Sequence, residues 1–258
     1  MRPVTLITGA SAGIGTALAH EFARHGHELL LIARREQRLA ELADAIAAQG
    51  HKRPLLLPLD LGTPDAVARL ADALARLDVE PETVVNNAGF GLVGTAAKLD
   101  LAEQLAMIDL NVRVLTDLSL VFVETLQRRR GGILNVASVA GFLPGPGMAI
   151  YYASKAYVLS FSEALHRELK PRGVRVTVLC PGPVPTEFQA RAGVRNERYP
   201  SLVTQTPEQV AQAGYRGLMA GRRLVVPGIG NKLITFLLRA APRGVAAAGV
   251  EAQQRLRR

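Results

Sequence analysis

The chain contains no tryptophan and one cysteine, and it is short of acid: 22 Asp and Glu stand against 31 Lys and Arg in 258 residues. Each shortage excludes something. Cys180 has no second cysteine to pair with and no Cys or His neighbour at ligand spacing. An internal disulfide is therefore ruled out, no metal centre is expected, and a reducing cytoplasm is the expected compartment. Aromatic residues make up only 5% of the chain, and no recognition-helix or zinc pattern accompanies the positive charge, which argues against nucleic acid as a partner. Long hydrophobic runs are also missing. The longest candidate for a membrane segment, Leu233 to Leu238, is enclosed by Lys232 and Arg239 and falls far short of the ~20 residues of a span. Met1-Arg2-Pro3 leads straight into an apolar run, so no secretory leader is expected ahead of the fold. With no repeat, linker or low-complexity block, residues 1–258 are expected to form a single domain. A domain of this size buries about three quarters of its unfolded surface.

The net charge of +9 is unevenly placed, because residues 186–258 hold 12 basic against 4 acidic side chains while residues 1–185 hold 19 against 18. General solubility accounts for part of such an excess. An anionic substrate, an acidic partner and a membrane surface are the functional alternatives.

What the sequence does contain begins at Thr8-Gly9-Ala10-Ser11-Ala12-Gly13-Ile14-Gly15. Val4 to Ile7 reads as a strand buried on both faces and Thr16 to Arg24 as a helix, so Gly9, Gly13 and Gly15 make the turn between them. Glycines at such a turn let the backbone approach a pyrophosphate, and the helix start presents N–H groups to anionic oxygens. The spacing is GxxxGxG rather than GxGxxG, and an ordinary strand-to-helix turn is the plain alternative.

Further strands are expected at Glu28–Ile32, Leu55–Leu61, Thr83–Gly89, Gly132–Ser138, Val174–Leu179 and Leu224–Val226. Helices are expected over 35–49, 65–77, 100–128, 151–170, 207–219 and 231–239. This alternation predicts an α/β fold: a Rossmann-type, doubly wound parallel sheet with helices on both faces. Arg34 and Arg35 follow the second strand, where an acidic residue would bond ribose hydroxyls and an arginine accommodates a 2′-phosphate. That sign predicts NADP(H) over NAD(H), the alternative being arginines that cap the strand end in solvent. Asp60 either accepts a bond from adenine or starts the turn before Pro64. Asn86 and Asn87 are amides at a strand end, placed to tie strands together or to hold a cofactor. Asn111 lies in a predicted helix with Leu105, Ile108, Val112, Leu115 and Leu118 on one face, and as a poor helix former it needs a polar pocket or an exposed position. The segment 180–206, with Pro181, Pro183, Pro185, Pro200, Arg191, Arg195 and Arg198, is too irregular for a simple connection and is expected to act as a substrate lid from about 182. The tail after Pro242 is expected to be loosely ordered.

Tyr151 and Lys155 are four residues apart and share a helix face, whereas the fourth residue after Tyr152 is Ala156. A tyrosine alone, with a pKa of about 10, is a weak acid-base group at neutral pH; a nearby ammonium favours its phenolate.

At this point the chain resembles the short-chain dehydrogenase/reductase family over nearly its whole length. Thr8–Gly15 matches TGxxxGxG, Asn86-Asn87-Ala88-Gly89 matches NNAG, Asn111 matches the helical asparagine, Ser138 precedes Tyr151 by the usual interval, and Tyr151–Lys155 matches YxASK. Pro181-Gly182 with Thr186 is similar to the family's PG motif and nicotinamide-side threonine, and Met107–Ser119 and Pro181–Phe188 look like a bacterial group of reductases. The resemblance implies hydride transfer between a nicotinamide and a carbonyl or carbinol carbon. Tyr151 would exchange the proton, Ser138 would donate to the same oxygen, Lys155 would bond the ribose, and Asn111 would hold a water beside Lys155. Around the cofactor it implies Gly9, Ser11, Gly13, Ile14, Gly15, Arg34, Arg35, Asp60, Leu61, Asn87, Tyr151, Lys155, Pro181, Gly182, Val184 and Thr186. It further implies a homodimer or homotetramer joined through the helices around Asn111 and Tyr151. Phe142, Leu143, Met148 and Phe188 suggest a substrate with an apolar part. The apolar stretch at 231–239 fits a subunit interface better than a bilayer surface.

Overall fold

The computed structural model describes residues 1–194, 202–240, 244 and 247–251. Seven parallel strands stand in the order β3-β2-β1-β4-β5-β6-β7, built from β1 (Arg2–Thr8), β2 (Leu29–Ala33), β3 (Leu55–Pro58), β4 (Val79–Asn86), β5 (Gly132–Val136), β6 (Arg175–Leu179) and β7 (Leu224–Val225). The chain winds outward from β1 to β3 and then returns to place β4 against the other side of β1. That reversal leaves a crevice beyond the carboxyl ends of β1 and β4, the position at which open α/β sheets take ligands.

The sheet sits between two cores. Leu29 and Leu31 of β2 pack with Ile7, Phe22, Leu134, Leu179 and Leu218, while Leu30 and Ile32 pack with Leu6, Val84, Leu126, Ile133 and Leu165 on the opposite face. Strands apolar at every position are what a sheet covered on both sides requires. Helices α1 (Gly13–Arg24), α2 (Glu36–Ala48) and α9 (Pro207–Met219) contribute to the first core. The second is covered by α3 (Ala66–Arg76), α5 (Leu115–Val121), α6 (Val123–Arg129) and α7 (Ala149–Leu169); α4 (Leu101–Ile108) packs beside α7, and α8 (Glu187–Ala192) and α10 (Ile229–Ala240) follow β6 and β7.

Several expectations from the sequence need correction. The strand expected at Thr83–Gly89 ends at Asn86 and begins earlier, at Val79, because the register slips between Val4 and Thr5 of β1 so that Glu82 is passed over and Pro81 is accommodated. The third and fifth strands stop at Pro58 and Val136, leaving Asp60 and Ser138 in the loops beyond. The helix expected over 100–128 is broken by a π turn at Asp109–Val114 and a second break at Phe122. Of the apolar face expected on it, Leu115 and Leu118 are buried, whereas Leu105 and Ile108 are 51% and 40% exposed. The segment 180–206 contains α8, and Arg195, Arg198 and Pro200 lie outside the described residues, as does Pro242. The tail is not loose throughout, since residues 247–251 are helical and Val250 is buried beside Met148 and Tyr152. No helix among the described residues is long and apolar enough to cross a membrane.

Candidate active site

The glycine turn closes β1 and opens α1. Gly13 adopts φ +55, a conformation side chains avoid, and a Cβ on Gly15 would stand 2.2 Å from the Gly9 carbonyl oxygen. The turn thus depends on the absence of side chains. The amino end of α1 has no side-chain cap and no acid in its first turn, whereas Thr186 and Thr206 form capping boxes on α8 and α9. A helix start left uncapped and without acid suits an anion.

The two asparagines after β4 do different work. Asn86 donates to Asn135 Oδ1 at 2.9 Å and Ser119 Oγ at 3.0 Å, and Asn135 donates to Ser162 Oγ at 2.9 Å, so it ties β4, β5, α5 and α7 inside the core. Asn87 faces the crevice wall and donates to the carbonyls of Thr8 at 3.0 Å and Gly9 at 3.2 Å, fixing the glycine turn against β4.

Asn111 is 1% exposed within the π turn. Of its two expected settings the polar pocket is the one found: it accepts from Phe90 N at 3.1 Å and donates to Phe90 O at 2.9 Å and to Ser154 Oγ at 3.1 Å. The extra residue in the turn is the local cost of aiming the amide inward, and π turns are frequent at functional sites.

Tyr151 lies in the first turn of α7, with Lys155 Nζ 5.9 Å from its ring centre. Lys155 is buried and donates to the Val136 carbonyl at 2.9 Å, and burial pulls its ammonium down to about 8. Phe188 packs against the tyrosine with ring centres 5.4 Å apart. Ser138 accepts from Ala140 N at 3.1 Å and lies against the Pro181 carbonyl at 3.5 Å.

At the other end, Arg35 reaches back to Ser11, with Nη2 3.1 Å from its carbonyl and 3.3 Å from its Oγ, and pairs with Glu187 at 2.7 Å. Arg34 lies 3.9 Å from Asp60. Asp60 itself makes the turn: its carboxylate accepts from Gly62 N at 2.9 Å, and Thr63 Oγ1 donates to its carbonyl at 3.0 Å. Thr186 caps α8, and Gly182 is packed so closely on Asn231 that a Cβ would stand 2.4 Å from its amide.

One cavity of 1210 Å³ is lined by Gly9, Ser11, Gly13, Ile14, Arg34, Arg35, Asp60, Leu61, Asn87, Ser138, Tyr151, Lys155, Pro181, Gly182, Val184 and Thr186. Gly15 and Asn111 are not in its wall; they shape it from behind. Phe90, Glu103, Asn231 and Val250, which carry no expected role from the sequence, also line it. Phe90 had a sequence signal, its place directly after Asn86–Gly89; Val250 had none, because only the fold brings the tail back over the pocket.

A family model described as short chain dehydrogenase matches residues 3–197. The chain belongs to that family. Sulfoacetaldehyde reductase 2 of Chromohalobacter salexigens is 40% identical over 191 residues, which is 73% of this chain and 75% of the relative. A short-chain dehydrogenase from Sphingobium yanoikuyae, solved in complex with NADPH, aligns with TM-score 0.83 and 33% identity over 94% of each chain. A short chain dehydrogenase/reductase from Burkholderia phymatum, solved in complex with NAD, aligns with TM-score 0.79 and 28% identity over 92% of each. The family's dinucleotide-binding sheet and oxidoreductase class therefore apply here, with either nicotinamide found among its structures.

Proposed function

We propose that the protein is an NADP(H)-dependent reductase of aldehydes or ketones, or the corresponding alcohol dehydrogenase, with Tyr151 as the acid-base group. The observation that carries this reading is the single cavity joining the uncapped start of α1, the paired arginines after β2, and the Tyr151–Lys155 pair. The crevice fits the cofactor, because the uncapped start of α1 opens onto it beside Gly9, Ser11 and Gly13, where a pyrophosphate would meet the α1 amides. Gly9, Ser11, Ile14 and Asn87 would border that pyrophosphate, and Arg34 and Arg35 would take a 2′-phosphate. Asp60 and Leu61 would flank the adenine, and Pro181, Gly182, Val184 and Thr186 would meet the nicotinamide. When bound, the cofactor supplies or accepts a hydride at a carbon adjacent to the proton-transfer site. Tyr151 gives its hydroxyl proton to the substrate oxygen during reduction and takes it back during oxidation. Ser138 donates to that same oxygen as negative charge grows on it. Lys155, anchored on Val136, places positive charge beside the tyrosine.

Exposed Leu101, Leu105 and Ile108 on α4, Leu120 and Val121 on α5, and Tyr157 on α7 support a homodimer or homotetramer assembled on these helices. Ile229, Leu233 and Phe236 of α10 offer a further apolar face for such contacts. The cytoplasm remains the proposed compartment. The test of function is oxidation of NADPH, followed at the nicotinamide absorbance, against a panel of aldehydes and ketones. Turnover that requires Tyr151 supports the reading, and binding of NADPH with no turnover of any carbonyl compound favours instead a dinucleotide-binding regulator on the same fold.

A further inference from the structure

We propose that Arg191 is the anion-binding group of the substrate pocket, so that the carbonyl compound handled at Tyr151 carries an acidic group a few bonds from its carbonyl. This rests on the reductase reading above and names the substrate class for it.

Placement comes first. Arg191 follows Phe188 by three residues on α8, about 4.5 Å along a helix axis, and Phe188 is the ring packed on Tyr151. Arg191 and Glu103 both line the cavity that Tyr151 faces. An acid group held there shares one cavity with the proton-transfer site.

The guanidinium is held in place. Its central carbon lies 4.8 Å from the Phe90 ring centre, and Phe90 is in turn fixed through both its backbone N–H and its carbonyl by Asn111. A guanidinium laid on a fixed aromatic face keeps its donor edge available for forked bonding to a carboxylate, sulfonate or phosphate. Its partner is easily exchanged. Glu103 meets Nη2 at 3.3 Å and is 51% exposed, the kind of surface pair that contributes little. An acidic substrate takes the place of that carboxylate with its own.

The other cations of the cavity wall have different engagements. Arg34 faces Asp60, Arg35 bridges Ser11 and Glu187, and Lys155 is anchored on Val136. Phe90, Ala102, Ala106 and Val194 line the same cavity as Arg191.

The experiment compares succinic semialdehyde with butanal, two four-carbon aldehydes of which only the first carries a carboxylate, using NADPH and the full-length protein. The wild type is expected to show the higher kcat/KM for the semialdehyde, chiefly through KM. Arg191→Met is expected to lower the semialdehyde-to-butanal ratio of kcat/KM by about tenfold to a hundredfold, the worth of a charge-assisted contact. Arg191→Lys should recover part of the ratio, and Glu103→Gln should raise it by removing the competing carboxylate. Because the ratio is internal to each variant, loss of folded enzyme does not mimic the result. Butanal reduced as well as the semialdehyde by the wild type, or a ratio unchanged in Arg191→Met, overturns the role of Arg191 and leaves the reductase reading standing. Failure to reduce any aldehyde or ketone, charged or neutral, overturns that reading and this proposal with it.

Discussion

Asn111 and Ser154 bond side chain to side chain at 3.1 Å, linking the π turn after α4 to the residue immediately before Lys155. Through Phe90 the same amide also holds the loop that follows Gly89. One buried asparagine thereby fixes the positions of the lysine-bearing helix and of the pocket floor.

Removing that amide leaves the Phe90 N–H and carbonyl without a partner. Asn111→Ala is expected to lower stability by about 1–3 kcal/mol, the cost of orphaned buried groups, read as a reduced urea midpoint with unchanged slope. It should also depress turnover beyond any loss of folded protein, because Lys155 loses its neighbouring brace. An unchanged midpoint would show that water replaces the amide without cost.

Tyr151→Phe keeps the ring that packs on Phe188 and deletes only the hydroxyl. Turnover is expected to fall by at least about a hundredfold, the usual worth of a positioned acid-base group, while NADPH still binds. Retained turnover would remove Tyr151 from the mechanism.

Lys155 carries a pH signature in stability. Its ammonium is depressed from the ordinary lysine value of 10.5 to about 8 by burial, so between these values the unfolded chain binds the proton and the folded one does not. Stability from this group therefore rises as pH climbs from about 8 toward 10.5, and the burial penalty is fully present below about 8. Relative to wild type, Lys155→Met should be spared that penalty at pH 7, with the difference between the two proteins shifting in favour of wild type by a few kcal/mol at most by pH 10, at about 1.4 kcal/mol per pKa unit. Chemical denaturation across this range measures it, and parallel pH curves for the two proteins would contradict it.

The parallel sheet was legible because strands such as Leu29–Ile32 are apolar at every position, which only a doubly covered sheet explains. The glycine turn and the Tyr151–Lys155 spacing were legible for a similar reason: their chemistry depends on separations of a few residues. The start of β4 was hidden by Pro81 and two glutamates, since the bulge that absorbs them forms only against β1. The exposure of Leu105 and Ile108 is not legible, because helical periodicity identifies an apolar face without saying what covers it. Val250 over the pocket and the seating of Arg191 on Phe90 come from contacts between distant segments, which no local pattern encodes.

The central claim, a 2′-phosphate recognised by the arginines after β2, is tested most directly by calorimetric titration of the purified wild type and of Arg34→Glu with NADPH and with NADH. Wild type is expected to bind NADPH well ahead of NADH. In Arg34→Glu that preference should shrink by about tenfold to a hundredfold, the worth of a charge-assisted contact. Equal binding of the two cofactors by wild type, or an unchanged preference in the variant, would contradict it.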